Sequence, residues 1–178
     1  MDDLREHQEF IHVSLRLPKT LKISLEKQAK RQHTSFNSLA SGILVKGASY
    51  DTIAEKLSAV TINGLLFAGM LEDASTEHLE QLGKNLGPKL IKQTFAFLDL
   101  QHDIEGLIRF YFEPVSSFSG WYSFTVAGSG TNRRLMFQHP HGTKWSVFLK
   151  AYISSIIKAS SGTEPRVVAD ESLVTVYC

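Results

Sequence analysis

The side chains with the most chemistry to offer fall in two places. The first is the run Phe137-Gln138-His139-Pro140-His141-Gly142-Thr143-Lys144-Trp145-Ser146, where two imidazoles stand two residues apart. Such a pair could face one metal ion, but a metal site needs three or four ligands and no third is evident in the run. The simpler reading is a strand-to-helix turn in which His139 or Thr143 caps the helix and Gly142 makes the bend; His139 and His141 remain the subsidiary metal candidates. The second place is His12, Ser14 and Arg16, spaced by two. An arginine donates two parallel hydrogen bonds, a serine donates or accepts, and a neutral imidazole does either. Catalysis by a nucleophile finds no support. There is no Gly-x-Ser-x-Gly elbow and no Ser/His/Asp order, and the single cysteine, Cys178, leaves no internal disulfide or multi-cysteine zinc site. Gly128-Ser129-Gly130 lacks the lysine and the helix that a phosphate loop requires and reads as a hairpin turn. Arg133 and Arg134, just after it, could hold an anion or be exposed hairpin charges. Asp170-Glu171 also falls in a turn.

The elements that carry these residues follow from apolar spacing. Ile11, Val13, Leu15 and Leu17 alternate with His12, Ser14 and Arg16, which is a strand with one apolar and one polar face. Pro18 ends it and is placed to open a helix over 19–32, where Leu21, Leu25 and Ala29 recur every four residues. After a short break at Gln32-His33-Thr34, Thr34 or Ser35 caps a second helix with Phe36, Leu39, Ile43 and Leu44, which Gly47 can end. One strand and two short apolar stripes cannot fold alone, because each lacks a surface to bury against; a second copy of the chain supplies both.

Charge separates the same segment from the rest. The net +1 of the 178 residues resolves into −2 over residues 1–8, +5 over 9–50 (seven Lys/Arg against two Asp/Glu) and −2 over 51–178. A basic block on a neutral body suggests contact with nucleic acid. The 43% apolar composition argues for a globular protein. No apolar run approaches the length of a bilayer span, and the acidic start Met1-Asp2-Asp3 lacks a basic, then apolar leader, so a cytoplasmic protein without membrane contact is expected.

Beyond residue 50 the spacing predicts a short helical linker over 50–60 with Ile53 and Leu57 inward, then a strand within the apolar run 60–72. A helix capped by Ser75 follows, broken at Gly87-Pro88, with a further helix from Pro88. Another helix, about 103–113, is expected to stop before Pro114. Strands 121–127 and 133–138 form a hairpin. A helix over 143–160 closes at Gly162, and strands 166–169 and 173–177 form a second hairpin. This half, 61–178, is expected to be an α+β domain, a small antiparallel sheet covered by helices. Its many aromatics, among them Phe95, Phe112, Trp121, Phe137 and Trp145, read as core packing, or as the lining of a small-molecule pocket.

The order strand, Arg16-Leu17-Pro18, helix with Leu21 and Leu25, then Thr34-Ser35-Phe36-Asn37-Ser38-Leu39 resembles the ribbon-helix-helix DNA-binding family, the class of Arc repressor, over residues 10–48. The resemblance implies an intertwined homodimer whose paired strands enter the major groove. It implies that His12, Ser14 and Arg16 face base edges of double-stranded DNA. Lys19, Lys22, Thr34, Ser35 and Asn37 would then hold phosphates, the last three through the start of the second helix, with Lys30 and Arg31 adding attraction. Further along, Lys144-Trp145-Ser146-x-Phe148-Leu149-x-x-Tyr152 is similar to small sensor or output domains of archaeal regulators, and no residue role carries over from that likeness.

The organisation expected is therefore an acidic, flexible tail over 1–8, a ribbon-helix-helix over 9–49, the linker and the α+β domain. The function expected is a DNA-binding transcriptional regulator, not an enzyme and without a cofactor. Its second domain would sense a small-molecule effector or extend the homodimer to a higher oligomer. Two alternatives stand beside it: a protein-interaction module that docks an acidic partner as antitoxins do, and a metal sensor or enzyme built on His139 and His141.

Overall fold

A computed structural model describes residues 11–98 and 103–177; the acidic tail 1–8 and Cys178 lie outside them. The chain forms two compact units that meet in sequence at Leu44 and Val45.

In the first unit, residues 11–18 are exposed and belong to no helix or sheet. Helix α1 runs Lys19–Arg31 and α2 runs Phe36–Lys46. Pro18 opens α1, its carbonyl accepting the Lys22 N–H at 3.1 Å. The turn between the helices is closed at its start by two reversed bonds. Thr34 N–H reaches the Ala29 carbonyl at 3.0 Å and His33 N–H reaches that of Lys30 at 3.2 Å. His33 takes the left-handed backbone (φ 52°) that a glycine usually supplies at this point of a helix end.

Gly47 does not end α2. The backbone continues through a π-helical turn, Gly47–Asp51, into α3, Thr52–Lys56. A glycine stops a helix by turning left-handed, and Gly47 stays out of that region. Tyr50 of this turn lies against the Phe118 ring, 5.8 Å between centroids, so the segment belongs to the second unit.

The second unit is α+β. The expected strand in 60–72 is a helix instead, α4, Gly64–Asp73. An apolar run carries no period of its own, and the local signal that decides it is the Asn63 side chain, which accepts the Leu65 N–H at 2.8 Å as a cap. Helix α5 runs unbroken over Thr76–Leu98, with Ser75 as its cap and Pro88 inside it. Gly87-Pro88 therefore does not break the helix. Gly83 and Gly87 lie against helix α8 (Gly142–Ser161), and the burial of Leu79, Ile91 and Phe95 along the same face outweighs the hydrogen bond that Pro88 cannot make. The next helical stretch also passes its proline. It comprises α6 (Ile104–Leu107, capped by Asp103), a π turn over Ile108–Phe112, and α7 (Glu113–Phe118), and Pro114 follows closely on the π turn, where the regular α-helical hydrogen-bond ladder is already interrupted.

Strands β1 (Ser123–Ala127), β2 (Arg134–Gln138), β3 (Arg166–Ala169) and β4 (Leu173–Tyr177) make one antiparallel sheet in the order β1-β2-β4-β3. Both expected hairpins and the helix ending at Gly162 (φ 73°) are present. The register places Phe124, Leu135, Phe137, Val174 and Val176 on one face. That face and α5 enclose Leu149, Ile153 and Ile156 of α8, all fully buried.

Candidate nucleic-acid interface

The first unit's charged and polar side chains sit on elements whose local chemistry is clear. His12, Ser14 and Arg16 are exposed in residues 11–17, and Lys19 and Lys22 are exposed on α1, Lys22 pairing with Glu26 at 3.4 Å. At the start of α2, Ser35 rather than Thr34 is the cap. Its hydroxyl oxygen accepts the Ser38 N–H at 3.0 Å and meets the Ser38 hydroxyl at 2.8 Å. Thr34 is half-buried and Asn37 exposed. The first N–H groups of any α-helix lack an intrahelical acceptor, so this end of α2 suits an anion. The turn-closing role of His33 escaped the sequence reading, because a histidine at a position favouring glycine gives no pattern.

The apolar side chains of this unit are the notable departure from ordinary packing. Ile11 is 80% exposed, Val13 63%, Leu15 59% and Leu17 38%, and Leu21, Ile43 and Leu44 are exposed by 44%, 46% and 58%. Only Ala29 is buried in α1, and no residue is buried in α2.

In the second unit the His139-Pro140-His141 turn is a packed polar network. His139 is buried; its Nδ1 accepts the His141 N–H at 3.3 Å and its Nε2 stands 3.0 Å from the Ser146 hydroxyl, which also donates to the Glu171 carbonyl at 3.1 Å. His141 Nε2 lies 3.0 Å from the Gly120 carbonyl, and the two rings are parallel, 6.2 Å apart. Neither His139 nor Thr143 caps α8 itself, whose first residue follows His141; Gly142 makes the bend with φ 76°. A metal on this pair would have to displace these contacts. Among the described residues no three His, Cys, Asp or Glu stand together as a metal site. Ser146 and the carbonyls of Gly120 and Glu171 could not be foreseen, since the fold brings them from three separate elements.

Burial, helped by the neighbouring His141, pushes the His139 pKa down from 6.5 to about 4. The unfolded chain therefore takes up this proton at higher pH than the folded one. Stability from this group is intact above about pH 6.5 and falls as pH drops toward 4. We expect it to lose roughly 1–2 kcal/mol between pH 7 and 5, allowing for partial solvent screening. Urea unfolding of His139→Asn should show a pH slope shallower by that amount; an equal slope would remove His139 as the cause.

Most of the second unit's aromatic residues are core, whereas Phe97 and Tyr177 are exposed. Phe95, Phe112, Phe137 and Tyr152 are buried, and Trp121, Trp145 and Phe148 stack or meet edge-on around them. The Tyr111 and Tyr152 hydroxyls bond each other, and burial raises both phenols, that of Tyr111 to about 12, so they stay neutral. A surface groove of about 800 Å3 runs beside Thr76, Lys84, Pro88, Lys150, Ser154 and Glu164, and no aromatic ring lines it. Arg133 is half-buried and pairs with Glu105, whereas Arg134 is exposed. Among the described residues no helix is long and apolar enough to cross a membrane.

The protein is thus an α+β chain of two units, one of them two helices joined by a short turn, with exposed apolar side chains. No family model, no curated protein and no solved structure matches it.

Proposed function

We propose that this protein is a homodimeric DNA-binding regulator of the ribbon-helix-helix type, with the second unit sensing an effector or extending assembly. The observation that carries the reading is the apolar row Ile11, Val13, Leu15 and Leu17, which lies uncovered in the single chain directly before a sharply turned helical pair. Isolated apolar side chains on a surface are common, but a row of four at strand spacing is what a pairing strand presents. Two copies pairing these strands antiparallel bury that row on the helices and turn His12, Ser14 and Arg16 to the other side. The basic block gives the pair about +10 on residues 9–50, and the Ser35-capped start of α2 adds a phosphate site.

The test is binding to duplex DNA, first at low salt and then against rising salt, followed by selection from a random-sequence pool. A steep fall of affinity with salt is expected. On the selected duplex, Arg16→Ala should cost about 1–3 kcal/mol and relax preference at one base pair, while leaving the dimer intact. Unchanged affinity in that variant would mean that the strand does not read bases. Absence of any duplex binding at low salt would turn the basic hairpin toward an acidic protein partner instead.

A further inference from the structure

Residues of the sheet alternate between its buried face and an outward face, and the outward set includes Arg134, Met136, Arg166, Val168, Thr175 and Tyr177. All six are exposed or half-buried. The four strands contain no Asp, Glu, Lys or His, so Arg134 and Arg166 are the only charged residues in the sheet. The register sets both beside one residue. Tyr177 stands opposite Arg134 on one side and Arg166 on the other. The Arg166 guanidinium lies over the Tyr177 ring, 4.9 Å from its centroid, and the tyrosine remains 39% exposed. Among the described residues neither arginine has an ion pair, whereas the neighbouring Arg133 pairs with Glu105.

An antiparallel sheet can turn one face to water, and serines and threonines suffice for that. Two unpaired arginines around an uncovered ring do more. They stand two strand spacings apart, about 10 Å, so their potentials add over Tyr177 and favour an anion there. A guanidinium matches phosphate with its planar fork and also stacks on flat rings. A free phosphate or carboxylate would use the two cations and leave the ring idle. A base joined to its phosphates uses all three groups. That base must be unpaired, because in a duplex the neighbouring base pairs cover both of its faces. An open four-stranded sheet with an exposed aromatic ring is a platform on which unpaired bases stack.

We infer that the outward face of this sheet binds single-stranded nucleic acid, with one base stacked on the Tyr177–Arg166 pair and the adjoining phosphates held by Arg134 and Arg166. The inference rests on the second unit alone and is independent of how the first unit meets duplex DNA.

The experiment measures fluorescence anisotropy of labelled oligo(dT) and oligo(U) with the full chain, at low and then rising salt. Binding of either or both is expected, and the pair tells which sugar the face accepts. Arg134→Gln combined with Arg166→Gln should lower the affinity at least tenfold. It should also make the slope of log affinity on log salt shallower by about 1.4, for two phosphate contacts at about 0.7 each. Tyr177→Leu should lower the affinity about fivefold or more with the slope unchanged, and Tyr177→Phe should restore it. The three side chains are exposed, so melting should match the parent, and affinity for duplex DNA should not change. No binding of either oligonucleotide by the parent chain overturns the inference. So does binding that survives the double arginine variant, which places the single strand elsewhere, on the basic block of residues 9–50. Full affinity in Tyr177→Leu, or an equal loss of duplex and single-strand binding in the arginine variant, overturns it as well, since either means attraction to charge without a stacked base.

Discussion

Leu15→Asp should abolish pairing of residues 11–17 across two chains and lower affinity for duplex DNA by at least about a hundredfold. Leu15 stands in the middle of the apolar row and is 59% exposed in the single chain, so the monomer tolerates a carboxylate there at almost no cost. In a paired ribbon the same carboxylate is buried without a partner, once in each copy. At about 3 kcal/mol per copy the penalty reaches roughly 6 kcal/mol per dimer, or about four orders of magnitude in its dissociation constant. The variant therefore separates the second unit's folding from pairing of the first. The melting of the second unit should match the parent chain, while the first unit loses the stability that pairing gives it, a Ser14→Cys reporter thiol no longer links two chains by an intermolecular disulfide under mild oxidation, and duplex binding collapses. Arg16→Ala gives the complementary pattern, with the ribbon linked and only affinity for the selected site reduced. A Leu15→Asp protein that binds the duplex as tightly as its parent would show that residues 11–17 are not a ribbon.

The elements that the sequence made legible are those with a period and a stop. α1 was readable because Leu21, Leu25 and Ala29 repeat after Pro18, and α8 because its apolar face ends at a left-handed Gly162. Both hairpins of the sheet were readable because aromatic and β-branched runs flank short polar turns. A local breaker is overridden where tertiary packing decides. Gly87-Pro88 signals a break and Pro114 a stop, yet Pro88 lies inside a long helix held by α8 and Pro114 in a helical stretch that continues from a π turn. The run 60–72 is mostly apolar, and hydrophobicity without a period does not distinguish a strand from a helix. Of the candidate site, the residue types and the Ser35 cap were legible. The exposure of the apolar row was not, because the surface that would cover it belongs to no element of the same chain in sequence. The setting of His139 was equally hidden, since Ser146 and the carbonyls of Gly120 and Glu171 reach the turn only through the fold.

The contact between α5 and α8 leads to the other large effect. Gly83→Ala is expected to destabilise the second unit by about 3 kcal/mol, and Gly83→Val to prevent it from folding. In an exposed helix, replacing glycine by alanine stabilises by about 1 kcal/mol, so the sign here depends wholly on the neighbour. A Cβ on Gly83 would stand 2.7 Å from the Phe148 carbonyl oxygen and 2.8 Å from the Tyr152 nitrogen, both backbone atoms of α8. No side-chain rotation relieves those approaches; α8 itself must move. It cannot move alone, because Leu149, Ile153 and Ile156 on the same helix are fully buried with the sheet and α5. The cost is then that of an overpacked core, which exceeds the propensity gain. Gly87 makes a useful comparison. Its closest neighbour is the Ser155 hydroxyl, which can rotate away, although the Tyr152 carbonyl oxygen remains 2.8 Å from the added carbon. Gly87→Ala should therefore cost less than Gly83→Ala, and Ser155→Ala should recover part of that cost. Thermal melting reads all of these, with about 3 kcal/mol corresponding to a drop on the order of 10 °C in a chain of this size. A Gly83→Ala protein that melts at or above the parent temperature would mean that α5 and α8 do not approach this closely.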